Sequence, residues 1–544
     1  MTKINASVKG LLLAGFFAQM ATTGASAQGN LSGDFMMNYN FFMRDTSIRA
    51  GNNPLYDNYL SGGEGWLNLR YAYKGFTGTV RFDGFHNSNL QNPTSALTAQ
   101  GIGQLTLQQQ VKNLTITAGH VYDQIGSGIL FRAYEDRGLL IDNALFGIHL
   151  KYKLNDNWTV KGFTGQMKKI AQPITFNAYS PIIKGLNIEG DVQVGDKLHL
   201  TPGAGVLNRT LDQNSMGQVV NSINALDTSM RFTPKYNMYA VTAYNTLSYG
   251  PITWYVEGAL KSQEAILKPD IKTGNQELQN LSGNVVYSTL GFGVNKFAVN
   301  ASFKRTENFA MRTSPNETLL NGVINWQPII ARMRSQRLIS RYSPASQDLS
   351  ELAYSFDAFY NPSTNYSFNA AYTDIKRLDN LQLYREVYGE AEIRSIEKVI
   401  LTLSVQYLEY NQEVYQLKPG VPMIKALTPM MELVYKINKK NSVRGEFQYM
   451  DTKQDYGSWL YALVEYNIAP NWSFALSDMY NVKPHEGVSP SGRHYPTVFT
   501  AYTKGANRFS LAYVKQVDGI NCTGGVCRYE PAFSGVKVMV TSSF

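Results

Sequence analysis

The sequence predicts an all-β protein: a single transmembrane antiparallel β-barrel of about 24 strands (roughly 22–26), with short periplasmic turns and long extracellular loops. Three observations predict it. Apolar and polar residues alternate with period two in segment after segment, so each segment has one oily and one polar face. The connectors between segments switch between tight turns and long polar loops. No run of 18 apolar residues occurs, so the chain has no helical span.

The N-terminus comes first in order. Lys3 and Lys9 precede the apolar run Leu11–Phe17, and Ala25-Ser-Ala27 follows. A positive region, a short apolar region and a small-residue site form an export signal, read as residues 1–27 with cleavage before Gln28. The apolar run is too short for a spanning anchor. Residues 28–544 then form one barrel, with no plug and no separate periplasmic domain, because the first strand reads from Leu31 to Arg44.

Along the chain, Leu67, Leu69, Tyr71 and Tyr73 alternate with Asn68, Arg70 and Ala72. After the turn Lys74-Gly75, Phe76, Val80 and Phe82 alternate with Thr77, Thr79, Arg81 and Asp83. Similar segments recur around 114–118, 297–304, 366–373, 399–407, 443–449 and 509–513. Short connectors at 155–157, 195–196, 249–251, 295–296, 361–364, 438–441, 469–471 and 505–507 carry the Gly, Asn, Asp and Pro that turns require. Longer loops read at 45–62, 87–100, 121–143, 210–235, 262–282, 307–350 and 411–425. A soluble sandwich or propeller would also alternate, but no repeat of fixed period accompanies the pattern.

Composition agrees. Tyr 35 and Phe 26 suit aromatic girdles at the membrane interfaces. The charge of +9 falls to +7 without Lys3 and Lys9; its 50 basic and 41 acidic residues are interspersed, which excludes a nucleic-acid footprint. Cys522 and Cys527 are the only cysteines, and in an exported protein they read as a local disulfide stapling an outer loop. The chain closes on Ser534–Phe544. There Val536, Val538 and Val540 alternate with Lys537, Met539 and Thr541, and the last residue, Phe544, is aromatic, like the C-terminal signal that barrel-insertion machinery reads.

Chemistry is sparse. The six histidines form no metal-ligand spacing and no nucleophile elbow occurs, so no catalytic residue, cofactor or metal is expected. A membrane-embedded hydrolase with dispersed Ser and His stays a minor alternative. The most distinctive stretch is 121–143. It is apolar enough to pack, yet carries Asp123, Arg132, Tyr134, Glu135, Asp136, Arg137 and Asp142. Opposite charges this close suggest a buried ion-pair network. Either the loop folds into the lumen as a charged constriction, or it docks on the rim. By register Arg70, Arg81, Lys304, Arg444 and Lys537 face the lumen, against Asp83 and Glu446, which would tilt a water-filled passage towards anions.

The pattern Gly126-Ser-Gly128, Arg132-Ala-Tyr-Glu-Asp-Arg137 and Ile141-Asp142 resembles an uncharacterised family of Bacteroidota outer-membrane β-barrel proteins, and the resemblance covers essentially the whole mature chain. It implies a cell outer-membrane location but no substrate or catalytic residue. The expected function is a passive or loop-gated pore for small polar or anionic solutes. The alternative is a scaffold barrel docking a lipoprotein, secretion or envelope-assembly partner through 307–350, where Arg332, Arg334, Arg337 and Arg341 could meet either a protein or lipopolysaccharide. Expected partners are outer-membrane lipid, lipopolysaccharide and the insertion machinery, with no nucleic acid.

Overall fold

A computed structural model describes residues 29–544, apart from 91–94, 138–140, 169–179, 270–275, 318–320, 347, 484–491 and 524–525; of 269, 276, 520–523 and 526–528 it describes the backbone only. The expected signal peptide therefore lies outside the described residues.

The strands form one antiparallel sheet that closes on itself. The first, Asn30–Phe42, pairs with Ser61–Tyr73 on one side and with the last, Phe533–Ser543, on the other. Every intervening strand pairs with its neighbours in the chain. Ile182–Gly190 and Val192–Val194 keep one register against Leu198–Thr210 and act as a single strand. Their ladder breaks opposite Pro202, which has no N–H to donate. Counted this way, the barrel has 24 strands, as the sequence predicts.

Closure removes both sheet edges, which a β-structure in hydrocarbon requires. The outer face is apolar. In Ile424–Lys436 the side chains of Ile424, Ala426, Thr428 and Met430 are buried, whereas Leu427, Met431, Leu433 and Tyr435 are exposed. The same alternation exposes Val241, Leu260, Val286, Leu290, Leu403, Val405, Leu476 and Leu511. A band of exposed aliphatic and aromatic side chains around a closed barrel is a lipid-facing surface.

Chain ends and tight turns share one rim. Gly33 N–H donates to the Phe544 carbonyl at 2.8 Å and Phe544 N–H returns to Gly33 O at 2.9 Å. The turn Lys74-Gly75 is typical of this rim: Gly75 sits at φ +79°, which a side chain disfavours. At the other rim the connections are mostly long. Two expectations change there. The described part of 262–282 is strand and not loop: Ile252–Pro269 and Gln276–Val294 extend into it, with a register shift between Lys261 and Glu264. The turn assigned to 361–364 begins later, because a bulge after Tyr360 carries the strand to Ser363. Length alternation is also looser than expected, since Arg377 is followed by only four residues before the strand Gln382–Ile393.

Cys522 and Cys527 face each other in a small hairpin, Gly519–Thr523 with Val526–Glu530, in the connection before the last strand. Their side chains lie outside the described residues.

Candidate functional site: a lumen filled by two infolded segments

The connection 122–144 turns into the barrel. Gln124–Ile125 pairs with Phe131–Arg132, and Glu135–Asp136 pairs with Ile141–Asp142, so the segment is two small ladders. Ile125, Ile129, Leu130 and Phe131 are fully buried. They pack on the inward side chains of the barrel wall, including Phe163, Ile183, Leu207, Met238, Ala240, Ala259 and Val285. Of the two expected placements, inside the lumen or on the rim, the structure has the first. Each fully buried apolar side chain contributes about 1.5–3 kcal/mol, so the segment is held firmly. One wall position makes room for it: a Cβ on Gly205 would come within 2.7 Å of Ile125 Cγ2.

Gly126-Ser127-Gly128, a flexible loop by sequence pattern, is instead a pinned turn. Gly126 and Gly128 adopt φ +56° and +98°, and Gly128 N–H closes on Ile125 O at 2.9 Å. Ser127 donates from its N–H at 3.1 Å and its hydroxyl at 2.5 Å to Glu257, which is fully buried. Tyr255 and Thr242 hydroxyls also donate to Glu257, at 2.6 and 2.9 Å. A buried carboxylate with four donors is satisfied without a cation. Sequence reasoning missed Glu257. Its one signal was a carboxylate at an inward position of its strand, four residues before the inward Lys261.

The charged residues of the segment divide into four groups. Arg81, buried on the strand Phe76–Ser88, donates to Asp83 at 2.6 Å, Glu135 at 2.6 Å and Asp142 at 2.6 Å. Asp142 also takes Lys168 and, at 2.8 Å, the Tyr122 hydroxyl. Arg137 ties Glu135 to Asp34 of the first strand, at 2.8 and 2.9 Å. Glu135, Arg137 and Asp142 are thus brought together as the ion-pair network that the sequence suggests. Asp123 lies apart, accepting from His149 at 3.0 Å and Lys161 at 3.3 Å. Arg132 and Tyr134 form a stack instead: the Arg132 guanidinium lies 4.3 Å from the Tyr134 ring and 4.7 Å from that of Trp326. Asp136 pairs through its backbone with Ile141.

Three of the five inward basic residues, Arg81, Lys304 and Arg444, are matched by carboxylates. Lys304 meets Glu351 at 2.6 Å. Arg444 is shared by Glu432 at 2.7 Å, Glu465 at 3.4 Å and Glu446. Arg70 lies on the same face as buried Trp66 but is exposed, and Lys537 rests 4.4 Å from the Phe533 ring. The basic excess inferred from separate strands is thus offset at Arg81, Lys304 and Arg444.

A second segment, 308–350, also folds inward. Its first part is stitched to the first segment: Arg132 N–H donates to Ile324 O at 2.9 Å, Trp326 N–H to Gly128 O at 3.0 Å, and Asn325 Nδ2 to Ile129 O at 3.0 Å. Its second part crosses the opposite half of the lumen. Leu338 N–H donates to Gln448 at 2.8 Å, and the Tyr342 hydroxyl to Asp455 at 2.9 Å. Of the four arginines expected at an outer surface, Arg334 and Arg341 turn into the barrel, onto Glu386 and Trp459.

A closed antiparallel barrel with an apolar exterior and a charged, loop-filled interior is a membrane-spanning barrel of the outer-membrane type. Within that class the chain belongs to a family of unknown function (DUF6029), whose model matches residues 6–544. No curated protein matches it. Among solved structures, it is similar to the translocation pore of the P pilus usher PapC, at 10% identity and TM-score 0.43 over 94% of this chain and 99% of that one. It is similar to the siderophore receptor PirA from Pseudomonas aeruginosa at 8% and 0.42, over 95% and 80%. The FrpB iron transporter from Neisseria meningitidis gives 10% and 0.39, over 97% and 83%. The architecture stands on the strand pairing; at these scores nothing further passes from those proteins.

Proposed function

We propose that the protein is a loop-gated pore of the outer membrane for small polar solutes, closed in the state described. The observation that carries this reading is the pair of connections folded into a barrel too wide for its own side chains to fill. Pairing of Arg81, Lys304 and Arg444 with carboxylates offsets the basic excess, so polar solutes in general are the proposed cargo. Export by residues 1–27, a Bacteroidota host and recognition of Phe544 by the insertion machinery belong to the same proposal.

Planar bilayers test it. Replacing 125–131 by a short Gly-Ser link should convert rare small steps into sustained conductance of at least tenfold larger size. Bilayers that stay sealed both with this protein and with one that also lacks 329–345 would refute the pore. A filled lumen also suits a scaffold, the second reading; a lipoprotein or assembly partner co-purifying in equal amount, and lost when 328–346 is removed, would favour that role. A covalent serine probe that labels the folded protein would favour the hydrolase.

The facing backbone positions of Cys522 and Cys527 support a cystine in the outer hairpin. Thiol titration in denaturant should find no free thiol before reduction and two after it. Two thiols before reduction would rule the bond out.

A further inference from the structure

We propose that the inner wall beneath residues 328–346 is a binding site for a guanidinium or ammonium group, which Arg334 occupies in the closed state. The inference takes its meaning in transport from the gated-pore reading, but its test does not use conductance.

Residues 328–346 form a strap with joined ends. Ser346 Oγ donates to Gln327 O at 2.5 Å, and Lys304 Nζ holds Pro328 O at 2.7 Å. Inside it, Arg334 reaches the wall. Its guanidinium carbon stands 3.2 Å from the centre of the Tyr388 ring, and its Nε donates to Glu386 at 3.1 Å. Glu386 and Glu390 flank Tyr388 on the same face of the strand Gln382–Ile393, and Glu390 accepts the Tyr388 hydroxyl at 2.5 Å. An aromatic face between two carboxylates is the chemistry that binds organic cations.

The wall does not neutralise these carboxylates itself. Its Arg444 is held by Glu432, Glu446 and Glu465, away from Glu386. Among the described residues, the basic partner of Glu386 is Arg334, which the strap supplies. With the strap lifted, the row Glu386–Tyr388–Glu390 would be an acidic cage without an occupant.

The fit of Arg334 is incomplete. Its side chain is 6% exposed and that of Glu386 is 1% exposed, yet Arg334 Nη2 and Glu386 Oε2 have no hydrogen-bond partner. Gln406 Nε2 on the adjoining strand donates to Glu386 at 2.6 Å without supplying charge, while Gln406 Oε1 and, one strand further, Thr428 Oγ1 are likewise buried and unpaired. The strap thus covers a polar wall whose carboxylate it satisfies only in part, and a freely placed guanidinium can meet that carboxylate more fully. An organic cation is therefore the competitor of Arg334, and the strap is the element it would displace.

The test uses the whole purified protein and methylguanidinium. In the wild type, hydrogen exchange of 328–346 should rise at least threefold with methylguanidinium chloride relative to sodium chloride of equal ionic strength, while 124–132 stays protected. Arg334→Ala, checked for folding by heat-dependent gel mobility, should bind methylguanidinium at least tenfold more tightly than the wild type by calorimetry. Adding Glu386→Gln should remove that gain, and acetate should not bind. Equal exchange in the two salts, or binding that survives Glu386→Gln, would overturn the site. Cation binding without conductance in either shortened protein would leave the cage standing and refute the pore; conductance with no cation binding would do the reverse.

Discussion

Replacing Arg81 by Met should release the 122–144 segment from the wall. Arg81 is 2% exposed and pairs with Asp83, Glu135 and Asp142, so the methionine would leave Asp83 without its cation and weaken the hold on Glu135 and Asp142. Removing one partner of a buried ion pair costs about 3–5 kcal/mol, and here Lys168 and Arg137 offset part of it by retaining Asp142 and Glu135. We expect a net loss of about 3 kcal/mol in the closure of the segment, read as faster hydrogen exchange of 131–137 with the strand ladders unchanged. Exchange as slow as in the wild type would show that the apolar contacts alone hold the segment.

Acid should weaken the same closure. Burial pushes the Asp142 carboxyl up, but Lys168 and Arg81 more than offset it and hold it below the usual carboxylate range. A carboxyl depressed in the closed state contributes stability in full above its ordinary value, near pH 4, and loses it as pH falls through the depressed value. Exchange of 141–144 should therefore rise only below about pH 4, and Asp142→Asn should abolish that rise.

Gly205→Phe should have an effect of comparable size from the opposite direction. Gly205 lies on the inward face opposite the pinned turn, where a Cβ alone would press on Ile125 at 2.7 Å and Leu130 at 3.3 Å. A phenyl ring needs the volume that Ile125, Leu130 and Phe131 now fill. Overpacking of a close-packed core costs typically ~1–3 kcal/mol when neighbours can shift, and more when they cannot. The wall strand resists movement, because both its neighbours hold it in register from Gly203 to Thr210. The segment should yield instead, so that protease sites within 124–132 become accessible while the barrel keeps its heat-dependent gel mobility. A protein as protease-resistant as the wild type would refute the assigned contact.

These residues show where reading the sequence works and where it stops. The alternation of Leu427, Met431 and Leu433 with inward Thr428 and Met430 is local, and it identifies a lipid-facing wall without further information. Glu135, Arg137 and Asp142 could be identified as parts of a network because opposite charges crowd an apolar segment. Arg81 and Lys168, the residues that complete the network, come from other parts of the chain, and no spacing rule joins them to it. Glu257 and Glu386 were invisible for the same reason. Each is one more inward polar residue until the segment that covers it is known. The carboxylate partners of Lys304 and Arg444 were not legible because charges are counted strand by strand, whereas an ion pair forms between strands and loops.

By itself, then, the sequence determined the wall: strand faces, the approximate strand number, turns against loops, and one charged segment able to pack. These follow from a two-residue periodicity and turn chemistry that act between neighbours in the chain. Only the tertiary structure decided what the wall encloses. Residues 122–144 and 308–350 enter the lumen because an apolar cluster, a buried Glu257 and a ring of carboxylates around Arg81 receive them. Those partners lie tens to hundreds of positions apart, and they meet only once the barrel has closed and brought its inward faces together.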